Sequence, residues 1–324
     1  MSFQRPFSRA WMLTALVFVC LGSSVPVATA GDEEATSLGA ALKQGSFGLD
    51  LRYRFEFVDD GAFDDDGSAS TLRTVLRYKS APWQKMAVFV EMENVADIGL
   101  GDDHKDAGRG GRGNAVTDRP VVADPSGTDV NQAYLDFSFI PQSSLKVGRQ
   151  EIKLGNVRYV GNVGWRQHHQ SFDAAFFATT AIPSTKLTYA YVSKVQRIFG
   201  DTVDMGSHLL EADIKTGEVG TLSLYGFVLD YDQESLFGLS TTTYGLRYAG
   251  AHAFSSYCKG LWDLEISQEV DSGDNPNYVD AGYQRFDLGG RGPGKARFDG
   301  QTVIGEVGKQ IDRQAAEGHQ AEQD

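Results

Sequence analysis

Residues 46–57 read SFGLDLRYRFEF. Phe47, Leu49, Leu51, Tyr53, Phe55 and Phe57 take the odd positions, and Gly48, Asp50, Arg52, Arg54 and Glu56 the even ones. A period of two is that of a β-strand with one oily and one charged face. A soluble sheet buries the oily face and turns its charges to bulk water. A transmembrane barrel turns the oily face to lipid and the charges into a wet lumen.

The same alternation returns at 72–79, 86–93, 132–139, 186–195, 210–215, 244–248 and 259–266. It is less clean at 145–152, 171–179, 221–231 and 278–288; both faces of 221–231 are largely apolar, so its phase stays open, as does that of 145–152. This makes about twelve strands, most about 8–12 residues long, against the roughly 9–11 that a tilted strand needs to cross a bilayer. The connections alternate in length. Long polar stretches at 58–69, 96–129, 153–170 and 196–207 are interleaved with short turns at 80–84, 141–144, 182–184 and 217–220. A meander with its long loops on one rim has this rhythm, as outer-membrane barrels do; Greek-key sandwiches have no reason to keep it. The expected fold is all-β, an antiparallel up-and-down transmembrane β-barrel.

The start reads as an export signal. Arg5 and Arg9 precede an apolar run from Trp11 to Cys20, and Ala28-Thr29-Ala30 is an A-x-A cleavage site. The expected organisation is a signal peptide at 1–30, a lead-in at 31–45, a barrel region at 46–288, and a polar tail at 289–324 without strand pattern. Cleavage leaves Cys258 as the single cysteine, which excludes an internal disulfide. The formal net charge of −13 argues against nucleic acid as a partner.

Three motifs offer chemistry and each reads better without it. Gly108-Arg109-Gly110-Gly111-Arg112-Gly113 matches a dinucleotide fingerprint literally, but an Asp-rich stretch precedes it and Asp118-Arg119-Pro120 follows, where a strand and a helix are needed. Asp64-Asp65-Asp66-Gly67 resembles half a calcium loop, but Ala62 and Arg73 stand where carboxylates are required. His168-His169 with Asp173 reads as a solvated or lumen-facing polar cluster, since neighbours on a strand point to opposite faces. No catalytic signature, metal set or cofactor motif is expected, so the chain is not read as an enzyme. The inward charges are then the functional feature: Arg52, Arg54, Arg73 and Arg77 form a basic wall that faces Glu91 and Glu93, and charged ladders of this kind select solutes.

The stretch 147–177 resembles the alginate-export family of outer-membrane channels. The likeness is carried by Gly148-Arg149-Gln150-Glu151, by Val160-Gly161-Asn162-Val163-Gly164-Trp165-Arg166-Gln167, and by Ser171-Phe172-Asp173, with Tyr225 to Asp232 and Gly273-Asp274-Asn275-Pro276-Asn277 as further pieces. The resemblance implies a monomeric barrel in outer-membrane lipid that passes solutes or polysaccharide. It also makes Arg149, Arg166 and Asp173 candidate pore-lining residues near a constriction. Family barrels have more strands, so a truncated or frame-shifted member is the expectation here. The functional expectation is an outer-membrane channel or porin with a charged lumen. The alternative is a secreted or periplasmic carbohydrate-binding β-sandwich.

Overall fold

The computed structural model describes residues 34–108, 113–255, 258–291 and 297–302. The expected signal peptide and most of the Gly108–Gly113 run lie outside them. Among the described residues a short helix, α1 (Leu38–Lys43), precedes thirteen strands. These are β1 (Ser46–Val58), β2 (Gly67–Lys79), β3 (Met86–Asp103), β4 (Gly127–Phe137), β5 (Ser143–Gln150), β6 (Ser171–Thr179) and β7 (Thr185–Gln196). Then follow β8 (Thr202–Lys215), β9 (Gly220–Leu229), β10 (Thr241–Ser255), β11 (Cys258–Asp271), β12 (Asp280–Arg291) and β13 (Arg297–Thr302).

Each strand pairs antiparallel with its sequence neighbours, and the order in the single sheet is β1 to β13. Among the described residues β1 and β13 are its two edges. The chain is therefore an all-β up-and-down meander. A sandwich needs a second sheet packed on the first, so the sandwich alternative is set aside.

The connections 59–66, 104–126, 151–170, 197–201, 230–240 and 272–279 leave one rim, and 80–85, 138–142, 180–184 and 216–219 leave the other. The connection expected at 196–207 shrinks because β7 and β8 run further than their side-chain pattern. The sheet also continues past residue 288: β12 ends at Arg291, and Arg297–Thr302 pairs with it. Gly289-Gly290 has no alternation to read, so only backbone pairing makes a strand there.

The two faces of the sheet invert the usual order of a soluble protein. Phe47, Leu49 and Leu76 are 72%, 54% and 57% exposed, and Met92, Val130, Leu135, Leu210, Leu246 and Ile266 are exposed with them on the outward face. Arg73, Glu91, Glu93, Thr188, Ser207, Glu211 and Glu265 are buried on the inward one. A contiguous apolar exterior of this extent marks contact with something other than water.

The inward groups are buried because the sheet curls around segment 151–170. Tyr159 of that segment meets Ser267 of β11 (2.6 Å), while the carbonyl of Gly164, five residues on, accepts from Arg52 of β1 (2.9 Å). Five residues span at most about 18 Å. In a flat sheet β1 and β11 would stand about 48 Å apart.

Two bulges change the faces read from the sequence. The register shifts at Asp173/Ala174 between β6 and β7 and at Val192/Lys194 between β7 and β8. A bulge adds one residue and flips all that follows. Lys194, which strict alternation from the buried Thr188 would turn inward, therefore stands outward, and Val195 turns inward and is buried.

Candidate functional site on the inward face

Segment 151–170 is a strut held at both ends. At one end the sequence places polar side chains opposite β1, β2 and β3. Arg52 Nε donates to Gln167 Oε1 (2.8 Å), and its terminal nitrogens donate to the carbonyls of Gly164 and Arg166. Gln167 Nε2 donates to Thr71 Oγ1 (2.8 Å), and the Gln167 backbone N–H donates to Asp124 Oδ1 (2.8 Å). Arg54 donates to the Trp165 carbonyl (2.7 Å) and pairs with Glu56 and, at 3.2 Å, with Asp124. Arg166 pairs with Glu56 at 3.4 Å and lies over the Trp165 ring.

Glu93 is a fully buried anchor, 1% exposed. It accepts from Arg73 Nε (2.6 Å) and from the His169 backbone N–H (3.1 Å), and it faces His168 Nδ1 at 3.0 Å. The other ring nitrogen of His168 faces the Pro125 carbonyl at 2.8 Å. His169 turns to a different carboxylate: its Nδ1 lies 2.7 Å from Glu151, which also accepts from Asn131 (3.0 Å) and Asn162 (2.7 Å) and pairs with Lys153 (3.0 Å). Burial pushes the Glu151 carboxyl up, but the His169 hydrogen bond and charge, then Lys153, outweigh it and hold Glu151 at about 2.

The other end of the strut is half apolar. Ile152, Leu154 and Val160 are buried in one cluster with Phe172, Val192, Leu209, Tyr225 and Phe227. Asn156 donates to Glu265 (2.6 Å), and Arg158 lies 3.6 Å over the Tyr283 ring. This settles the phase of 221–231. Leu222 and Leu224 face outward, and Tyr225 and Phe227 are oily on the inward side because they pack on the strut rather than face water.

The nine residues singled out in the sequence divide into three groups. Arg52, Arg54, Arg73, Glu93 and Arg166 fasten the strut to the wall. Arg77 and Glu91 pair at 3.1 Å beside it, and 43% of the Arg77 side chain stays exposed. Arg149 and Asp173 do meet, at 2.6 Å, but on the other face. They sit in register with Leu145, Val147 and Phe177, two of which are exposed, and Asp173 pairs across with Lys194. The resemblance points them at the lumen, and the unbroken alternation of β5 and β6 points them away. Asp124, Asn131 and Gln167 carry as much of the arrangement as any residue singled out. Their signal in the sequence is weak, because each acts through a loop or a bulge rather than through alternation.

Below the strut, toward the short-turn rim, the inward face leaves a cavity of about 570 Å³ lined by Lys153, Lys186, Glu211, Asp213, Lys215 and Arg247. Among the described residues no group of three His, Cys, Asp or Glu could hold a metal ion.

The family model described as Alginate export matches residues 43–315. Several crystal structures of outer-membrane proteins share the fold. Pseudomonas aeruginosa OccD3 (OpdP) is 15% identical with a TM-score of 0.57, over 80% of this chain and 56% of that one. Pseudomonas aeruginosa OpdK, solved with vanillate, is 15% identical with a TM-score of 0.60, over 78% and 64%. Pseudomonas aeruginosa OccK8 (OprE) is 13% identical with a TM-score of 0.58, over 84% and 77%. The chain thus spans less than two thirds of the length of OccD3 and OpdK, and at these identities the likeness is one of fold. A comparison with curated proteins finds no match. With its outward oil, its single meander and a match that runs over most of its length, the chain is an outer-membrane protein of the alginate export family.

Proposed function

We propose that the protein works as a passive channel for small polar solutes, narrowed by the strut at 151–170. The reading is supported above all by the inversion of the two faces: oily side chains exposed outward, and ionised ones buried inward around a cavity. In this reading the aqueous path runs past Arg77 and Glu91 and through the cavity bounded by Lys153, Lys186, Lys215 and Arg247. Lys153 there is paired with Glu151 and Arg247 with Asp263, which leaves Lys186 and Lys215 opposite Glu211 and Asp213, a balanced lining that suits small polar solutes. Alginate names the family; a strut across the lumen favours small solutes over a polymer. No residue is assigned a catalytic role and no cofactor is invoked. The protein is proposed to act as a monomer in outer-membrane lipid.

The test is conductance in planar bilayers. The folded protein should give discrete steps, and Arg77→Ala, measured on the fraction that folds, should move the reversal potential toward cation selectivity. Absence of steps from folded protein would refute the channel. Steps with an unchanged reversal potential would remove Arg77 from the path.

A further inference from the structure

Helix α1 is too short to be stable alone and is tied to the wall by specific bonds. Ser37 caps it, with Oγ accepting from the Ala40 N–H (3.1 Å). The Ala35 N–H donates to the Pro82 carbonyl (2.8 Å), and the Ala81 N–H to the Ala41 carbonyl (3.1 Å). Ala35, Ala41 and Ala81 are all buried by this contact. The decisive bond is on the outward face, where Tyr78 Oη donates to the Leu42 carbonyl (2.7 Å). Tyr78 alternates with the exposed Leu76, and its ring packs against Phe47 at 4.8 Å. The C-terminal end of α1 is therefore fixed outside the sheet, at the short-turn rim.

The helix then presents Leu38 and Leu42, four apart and so on one side, at 51% and 48% exposure. They continue the oily surface of Phe47 and Leu49, with Lys43 beside them. Outer-membrane barrels keep their short turns at the periplasmic rim. We propose that α1 is a monolayer anchor: Leu38 and Leu42 dip into the periplasmic leaflet of the outer membrane, and Lys43 meets lipid phosphate at its surface. The occupant is lipid because the exposed stripe is continuous with the face that already meets lipid. The inference rests on the membrane reading given above.

Nitroxide labels test it. Single cysteines are placed at Leu38, Leu42, Leu49 and Asp64 of the full chain carrying Cys20→Ser and Cys258→Ser, refolded into phosphatidylethanolamine–phosphatidylglycerol vesicles. Labels at 38 and 42 should collide with oxygen in preference to a nickel chelate, as the label at 49 does, and the label at 64 should show the reverse. Chelate access at 38 and 42 equal to that at 64, with 49 still protected, would overturn the anchor and leave the channel standing. Chelate access at 49 as well would overturn both.

Discussion

Replacing Glu93 by Gln should loosen one end of the strut and leave the wall standing. The substitution keeps shape and volume, so it opens no cavity. It removes the charge opposite Arg73, whose side chain is 6% exposed, and it sets an amide where three donors converge: Arg73 Nε, the His169 N–H and His168 Nδ1. Breaking a buried ion pair by neutralising one partner costs about 3–5 kcal/mol. Asp50 lies 3.7 Å from Arg73 and partly compensates, but it is half exposed and screened. The lower end, about 3 kcal/mol, is therefore expected, which is about a hundredfold in the population of the detached strut. Cleavage in the native state follows that population when opening is fast. In detergent micelles, trypsin should cut after Arg166 about a hundredfold faster in Glu93→Gln. Cutting after Arg158, which is held by Tyr283 and the apolar end, should change far less. If cleavage after Arg166 rose less than about threefold while the unboiled protein kept its folded gel mobility, Glu93 would not be what holds the strut.

Three further outcomes follow from the same geometry. Glu151 has its folded pKa held at about 2, against 4.5 for a free Glu side chain, so its contribution is present above 4.5 and is lost as pH falls through about 2; single-channel conductance should hold steady from pH 7 to 4.5 and become unstable or rise only toward pH 2. Gly148 has φ +128°, and a Cβ there would stand 2.4 Å from the Ala133 carbonyl oxygen; Gly148→Ala should cost at least about 2 kcal/mol, read as a lower temperature for loss of heat-modifiable gel mobility. Met92 is 47% exposed on the outward face of a strand paired on both sides; Met92→Arg should cost about 2–4 kcal/mol when the protein folds into vesicles, seen as reduced folded yield, and an unchanged yield would mean that this face does not meet hydrocarbon.

The sequence shows the wall clearly and the strut hardly at all, for a physical reason. In β1 one face meets a single environment along its whole length, so SFGLDLRYRFEF carries that environment residue by residue. The long and short connections are as legible, because a meander must return to the same rim at every second turn. Alternation stops being informative where the environment changes along a strand or where the backbone slips. Tyr225 and Phe227 read as ambiguous because the inner surface there is packed on Leu154 and Val160 instead of being wet. Lys194 reads as inward because a bulged residue such as Ser193 carries no mark in the sequence, whereas Arg149 and Asp173 are assigned to the lumen by family likeness and not by alternation. The strut itself, 151–170, reads as one more polar outer connection, since its partners Glu93, Thr71, Glu265 and Ser267 lie on strands far away in the chain. This bears directly on how the charges should be counted. Arg52, Arg54 and Arg73 look in the sequence like three members of a basic wall, but each donates to the strut or to a carboxylate beneath it, and their charge is largely spent in holding structure. A passing solute meets instead the half-exposed Arg77 and the cavity cations on the opposite wall. A selectivity set by those groups follows from where the strut lies.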